Sequence, residues 1–300
     1  GGISGSGLLD IDGRRQDAYS LDNTLRYTCR EGRQAYASPV RRGLRYLMVP
    51  VRGAMSDVQL YQVRMIQSNY PVAEIGRFAC SDALLNQIWQ ISRHTVRLCM
   101  EDTFVDCPTY EQAYWVGDSR NAALSGYMLF GAEPLVRRCL RLVPGSAKHT
   151  MLYMDQVPSG WKSVIPNWTF FWVMACNEHY RHTGDGAFAR EIWPHMRATL
   201  TRYLEHRNEQ GLFYFRGWNL LDWAPVDQPN DGVVAHQNAF LARALREAAR
   251  LAGEIGEAHD GEVLLEAAAA LEQAINRYLW SDERQAYIDC IHADGRRSEV

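Results

Sequence analysis

Between residues 101 and 122 the chain reads EDTFVDCPTYEQAYWVGDSRNA, its densest cluster of acids and aromatics. Glu101, Asp102, Asp106, Glu111 and Asp118 are interleaved there with Tyr110, Tyr114 and Trp115. Carboxyl groups set among aromatic rings are the ingredients of a sugar site. Cleavage of a glycosidic bond needs one protonated carboxyl to donate to the leaving oxygen. It needs a second carboxylate to activate water or to attack the anomeric carbon. Burial against aromatic walls and nearby like charge keep a carboxyl protonated near neutral pH. Glu111 has such neighbours in Tyr110, Tyr114 and Trp115, with Asp106 and Asp118 as like charges. A purely structural reading also fits: Asp118 as a helix cap, Asp106 as a turn residue, Glu111 as a solvated charge.

Two kinds of element must position this cluster. From about 33 to 79 the apolar period is two, as in Leu44, Tyr46 and Met48 and again in Val58 and Leu60. Pro50, Gly53 and Pro71 punctuate the run, which predicts strands. So few strands make a poor independent domain, so residues 1–79 are expected to be the C-terminal part of a β-sandwich with its linker. At Ser81, an expected N-cap, the period changes to helical. Helices are predicted over 82–100, 117–130, 132–142, 166–182, 187–193, 194–206, 235–255 and 261–279. Pro194 is placed in a first turn. The connections 143–165 and 207–234 are long, and long ordered loops often carry function. Paired amphipathic helices build either a solenoid or a closed barrel of hairpins, and the lack of a fixed repeat favours the barrel.

Composition narrows the function classes. The 300 residues are 47% hydrophobic and 22% charged, enough for a large core. Net charge is −3, without the basic field of a nucleic-acid binder. No apolar run approaches the roughly 20 residues of a membrane span. The seven cysteines are scattered, with no CxxC and no short-spaced Cys/His quartet, so no structural zinc site is expected. Most read as small buried hydrophobes in a reducing compartment. The opening GGISGSGLLD does not read as a signal peptide, and a cytoplasmic location is expected.

The pattern Asp106-Cys107-Pro108-x-x-Glu111-x-x-x-Trp115-x-Gly117-Asp118 resembles the catalytic signature of α-L-rhamnosidases, glycoside hydrolase family 78. Tyr110 stands where that family usually has Arg, and Tyr114 where Gly usually precedes the Trp. GRFACSDALLNQIW, NWTFFWVMACNEHYRHTGD and NLLDWAPVD extend the resemblance over about 45–300. It implies a barrel of six helical hairpins, (α/α)6, after β-sandwich domains, with residues 80–300 as an incomplete catalytic barrel. It implies release of terminal α-L-rhamnose with inversion, a carbohydrate substrate, and neither cofactor nor metal. It places Glu111 as general acid and Asp106 and Asp118 as acids that bind sugar hydroxyls and support it. Trp115, Trp168 and Trp223 fall at the aromatic walls, and Asp222 shares the loop of Trp223. Trp172 reads as core, and His236 and His292 as structural groups.

The family's general base is a Glu on a much later loop, and nothing in 235–300 resembles that segment. About eight helices are read where a closed barrel needs 12, so the chain is expected to be a piece of a larger enzyme. Two alternatives remain open. Another six-hairpin glycosidase or a polysaccharide lyase would keep the barrel, and a lyase would use Tyr110 or Tyr114 as base. A non-catalytic carbohydrate-binding relative would keep the site without the reaction.

Overall fold

The computed structural model describes residues 25–44, 46–148 and 152–298. Residues 1–24 of the expected sandwich tail lie outside this set. Over 25–79 the described chain forms no strand. The side chains whose alternation predicted strands, among them Tyr46, Met48, Val58 and Leu60, are exposed. Alternation marks two unlike faces, but a strand forms only where a neighbour takes up its N–H and C=O groups. This segment meets the helical body through side-chain pairs, such as Glu74 with Arg93 and Arg97, and through scattered backbone bonds such as Tyr70 N to Met100 O (2.8 Å) and Ile75 N to Leu129 O (3.0 Å), not through a ladder.

The rest is helical. Helix α1 spans Ala83–Leu98 and is capped by Asp82 rather than Ser81. The Asp82 carboxylate accepts from the N–H groups of Leu84 (2.7 Å) and Leu85 (3.2 Å), two donors that a helix start leaves free. Three hairpins follow: α2 (Val116–Phe130) with α3 (Glu133–Leu142), α4 (Pro166–Thr183) with α5 (Gly186–Leu204), and α6 (Ala235–Ile255) with α7 (Ala258–Tyr278). The turns between partners are short, so partners run antiparallel. Gly131, Gly184 and Gly256 close α2, α4 and α6 in the left-handed conformation that favours glycine. Residues 187–206, read as two helices, are nearly all one. Pro194 lies inside α5, where burial of Ile192, Trp193 and Met196 outweighs the lost hydrogen bond.

Helices α2, α4 and α6 pack side by side as an inner layer, with α3, α5 and α7 outside. The inner helices bury residues on nearly every side; α4 alone buries Trp168, Phe170, Trp172, Met174 and Cys176. Trp172 is core, as expected, and its indole N–H donates to Leu140 O at 3.0 Å. Because the inner helices run parallel, their N-termini gather at one end of the layer. Small antiparallel strands finish the fold: β1 (Phe215–Arg216), β2 (Asp231–Val234) and β5 (Cys290–His292) in the order β1-β2-β5, and β3 (Trp280–Ser281) with β4 (Ala286–Tyr287).

Buried amides tie the loops to this frame. Asn238 accepts from Phe213 N (2.7 Å) and donates to Phe213 O (3.0 Å) and Val234 O (2.9 Å). Asn238→Ala would strand three buried backbone groups at about 1–3 kcal/mol each before relaxation, so a net loss of about 2–4 kcal/mol is expected. Urea unfolding should show a lower midpoint at an unchanged slope.

Candidate functional site

The acid-rich segment splits in two. Glu101 pairs with Arg41 half-buried against the N-terminal segment, and Asp102 with Arg138 at the surface at 3.3 Å. Asp106, Glu111 and Asp118 gather instead at the N-terminus of α2. Asp106 is woven into its turn: its N–H donates to Ala113 O and its Oδ1 accepts from Ala113 N, both at 3.0 Å. Glu111 N donates to Cys107 Sγ at 3.3 Å. Gln112 follows with a φ of 51°, a strained value for a non-glycine residue, held by its amide's bond to Pro108 O at 2.8 Å. The signature is therefore a tight, over-determined loop.

Glu111 Oε2 accepts the indole N–H of Trp115. Glu111 is exposed, and the expected enclosure by tyrosines is corrected. Tyr114 is buried in the opposite direction and donates to Cys139 O at 3.0 Å, while Tyr110 is itself exposed. Strand-like alternation through 113–115 sends neighbouring rings to opposite sides. Asp118 stands in the first turn of α2, open to solvent but crowded by surrounding atoms. That desolvation, then the charges of Asp106 and Glu111, push its carboxyl up to about 6. The Trp168 indole pulls the other way, near enough to favour the carboxylate but not in full hydrogen-bond geometry.

Trp168 reaches this place because residue 117 is glycine. A β-carbon there would stand 2.6 Å from the Trp168 ring. The first helical N–H of α2, on Val116, is taken by Asp155 O at 2.8 Å. Asp155 lies in a long loop yet is fully buried, with Ser163 Oγ on both carboxylate oxygens at 2.8 and 2.6 Å. Burial pushes its carboxyl up, and the serine works against that shift.

Trp223 is 83% exposed and stands away from the acids. It connects to them through Trp218, which the sequence reading missed. Trp218 meets Trp223 at 6.3 Å and Trp115 edge-on at 6.2 Å, ring centre to ring centre. The signal was the first Trp of the GWNLLDW run, five residues before Trp223. Asp222 turns back on its own loop, its Oδ1 accepting from Trp223 N at 2.7 Å. At the starts of α4 and α6, Asn167 Oδ1, His236 Nε2 and Gln237 Oε1 are buried without a hydrogen-bond partner among the described residues. Burial pushes the His236 imidazole down to about 4.

Parallel inner helices of a hairpin array, with carboxyls and tryptophans at their N-terminal ends, define the class of six-hairpin glycosidases. The bacterial α-L-rhamnosidase six-hairpin glycosidase domain matches residues 73–295, and the chain belongs to that family. It is similar to the GH78 rhamnosidase of Bacillus sp. GL1, with 61% identity and a TM-score of 0.93 over 96% of this chain and 30% of that one. An α-L-rhamnosidase of Formosa agariphila is 23% identical over 225 residues, 69% of this chain and 23% of its own. The rhamnosidase from Klebsiella oxytoca solved with rhamnose bound shares the fold at a TM-score of 0.64. It is 24% identical over 73% of this chain and 43% of that one. The chain thus spans less than a third of the Bacillus and Formosa proteins.

Two measurements check this geometry. Gly117→Ala should displace Trp168 and destabilise the fold by about 1–3 kcal/mol, seen as a lower unfolding midpoint with altered tryptophan fluorescence. Asp118 titrates higher folded than unfolded, so the native state holds the extra proton between about pH 4 and 6. Stability therefore falls as pH rises through that window. Asp118→Asn should flatten that fall, by on the order of 1 kcal/mol once solvent screening is allowed for.

Proposed function

We propose that this chain supplies the acid side of an inverting α-L-rhamnosidase, with Glu111 as proton donor to the leaving oxygen. The observation that carries the reading is the gathering of Asp106, Glu111, Asp118, Trp115 and Trp168 at the N-terminal end of the inner helices. The relationship to the Bacillus rhamnosidase supports the choice of sugar. Asp106 and Asp118 bind sugar hydroxyls in this reading. Trp115 and Trp168 wall the reacting sugar, while Trp218 and Trp223 continue the aromatic surface outward. Glu111 is open to solvent, so an incoming glycoside can reach it, and the Trp115 N–H fixes its direction. The chemistry needs no cofactor. An inverting pair stands about 6.5–9.5 Å apart with water between, so the base faces Glu111 across the bound sugar. The same reading divides the chain into residues 1–79, the end of a β-sandwich domain with its linker, and residues 80–300 of the catalytic barrel.

Asp118 supports a second assignment, because it stands in the same cluster with its carboxyl pushed up to about 6. Leaving-group dependence separates the two. Glu111→Gln should cut turnover of alkyl rhamnosides by about 10²–10⁴-fold and of activated aryl rhamnosides much less. Asp106→Asn keeps an acceptor for Ala113 N and should lower turnover of both substrate types alike. If Asp118→Asn shows the leaving-group effect and Glu111→Gln does not, Asp118 is the donor. The substrate class is tested by assaying the intact protein on an aryl α-L-rhamnoside beside other aryl glycosides.

A further inference from the structure

Farther along the loop that carries Trp218 and Trp223, three side chains of metal-ligating type meet where the loop into α6 crosses β5. Asp227 Oδ2 lies 2.8 Å from His292 Nε2. The Cys290 thiol faces the same carboxylate. One donor atom from each of the three lies within 4.8 Å of the other two. Cys290 is fully buried, and Asp227 and His292 are partly so. Cys290 and His292 are alternate residues of β5, so they share a face of the strand. Pairing of β2 with β5, with Gly232 opposite His292, holds that face against the loop that ends in β2.

We propose that Asp227, Cys290 and His292 form a binding site for a zinc-class divalent cation, with water as fourth ligand. A thiolate and an imidazole select a borderline-soft ion over calcium or magnesium. Bonds of about 2.3 Å to sulfur and 2.0–2.2 Å to nitrogen or oxygen place tetrahedral ligand atoms about 3.3–3.8 Å apart. The Asp227–His292 separation of 2.8 Å has to open by about 0.5 Å, and no other separation exceeds 4.8 Å, so the rest close by about 1 Å at most. The ligand backbones are already held: Asp227 N donates to Asp289 Oδ2 (3.1 Å), Cys290 N to Ser298 Oγ (3.1 Å) and His292 N to Arg296 O (2.8 Å). Such outer contacts keep ligands aimed. On binding, the thiol proton goes to solvent and the imidazole coordinates as the neutral ring. The ion would fasten the loop carrying Trp218 and Trp223 to β5.

Cobalt is the probe, because its visible bands report tetrahedral geometry and its near-ultraviolet band reports thiolate ligation. The chelator-treated protein should take up one equivalent of Co2+ with both signatures, and Zn2+ should displace it and raise Tm. Cys290→Ser should abolish the thiolate band, and His292→Gln should weaken Co2+ binding at least ~10-fold. If Cys290→Ser does not fold, His292→Gln and Asp227→Asn decide, each expected to lose affinity and the zinc-dependent rise in Tm. Absence of Co2+ bands in the parent protein overturns the proposal. So do bands that persist unchanged in the variants, which would place the ion at another thiol.

Discussion

The Trp168 ring and Gly117 approach more closely than any side chain at 117 would permit. That contact sets the spacing between the N-termini of α2 and α4, and much of the site follows from it. It brings an indole beside Asp118 and leaves Trp115 free to turn its own N–H to Glu111. The contact works because the inner helices run parallel. Their free N–H groups and positive dipole ends collect at one end of the layer, where carboxylates are favoured and sugar hydroxyls find acceptors.

The long loops that reach this end have little regular structure, so their backbone groups need partners. Buried side chains supply them. Asp155 with Ser163 braces the loop that feeds Val116, and Asn238 holds Phe213. Asn219 donates to Phe215 O (3.0 Å) and Pro229 O (2.8 Å) and accepts from Gln237 Nε2 (3.0 Å). Each is costly to leave unpaired in a low-dielectric interior, so each fixes one geometry rather than adding net attraction. Trp223 lacks such support, and it extends into solvent.

Much of this was legible in the residues themselves. The helices predicted over 117–130, 166–182 and 235–255 form within a residue of those bounds. The misreadings share one cause. The alternation in 33–79 describes faces without saying what covers them, just as α1, rightly predicted as a helix, leaves the apolar stripe of Leu84, Leu85, Ile88 and Ile91 exposed. Pro194 signals a break only while local cost is counted, and the packing of Trp193 and Met196 overrides it. Trp218 was passed over because its importance comes from Trp115, far away in sequence.

By itself the sequence determined the helices, their hairpin pairing, the family and the acid cluster, because periodicity, turn chemistry and motif spacing are local properties. Only the tertiary structure decided which carboxyl is pushed toward neutrality, which acids are spent on ion pairs and which loop acid is buried. It also decided that Trp218 bridges two other tryptophans and that Asp227 meets Cys290 and His292. Electrostatics and metal ligation depend on distances of a few ångströms between groups remote in the chain, and those distances exist only once the inner helices have packed.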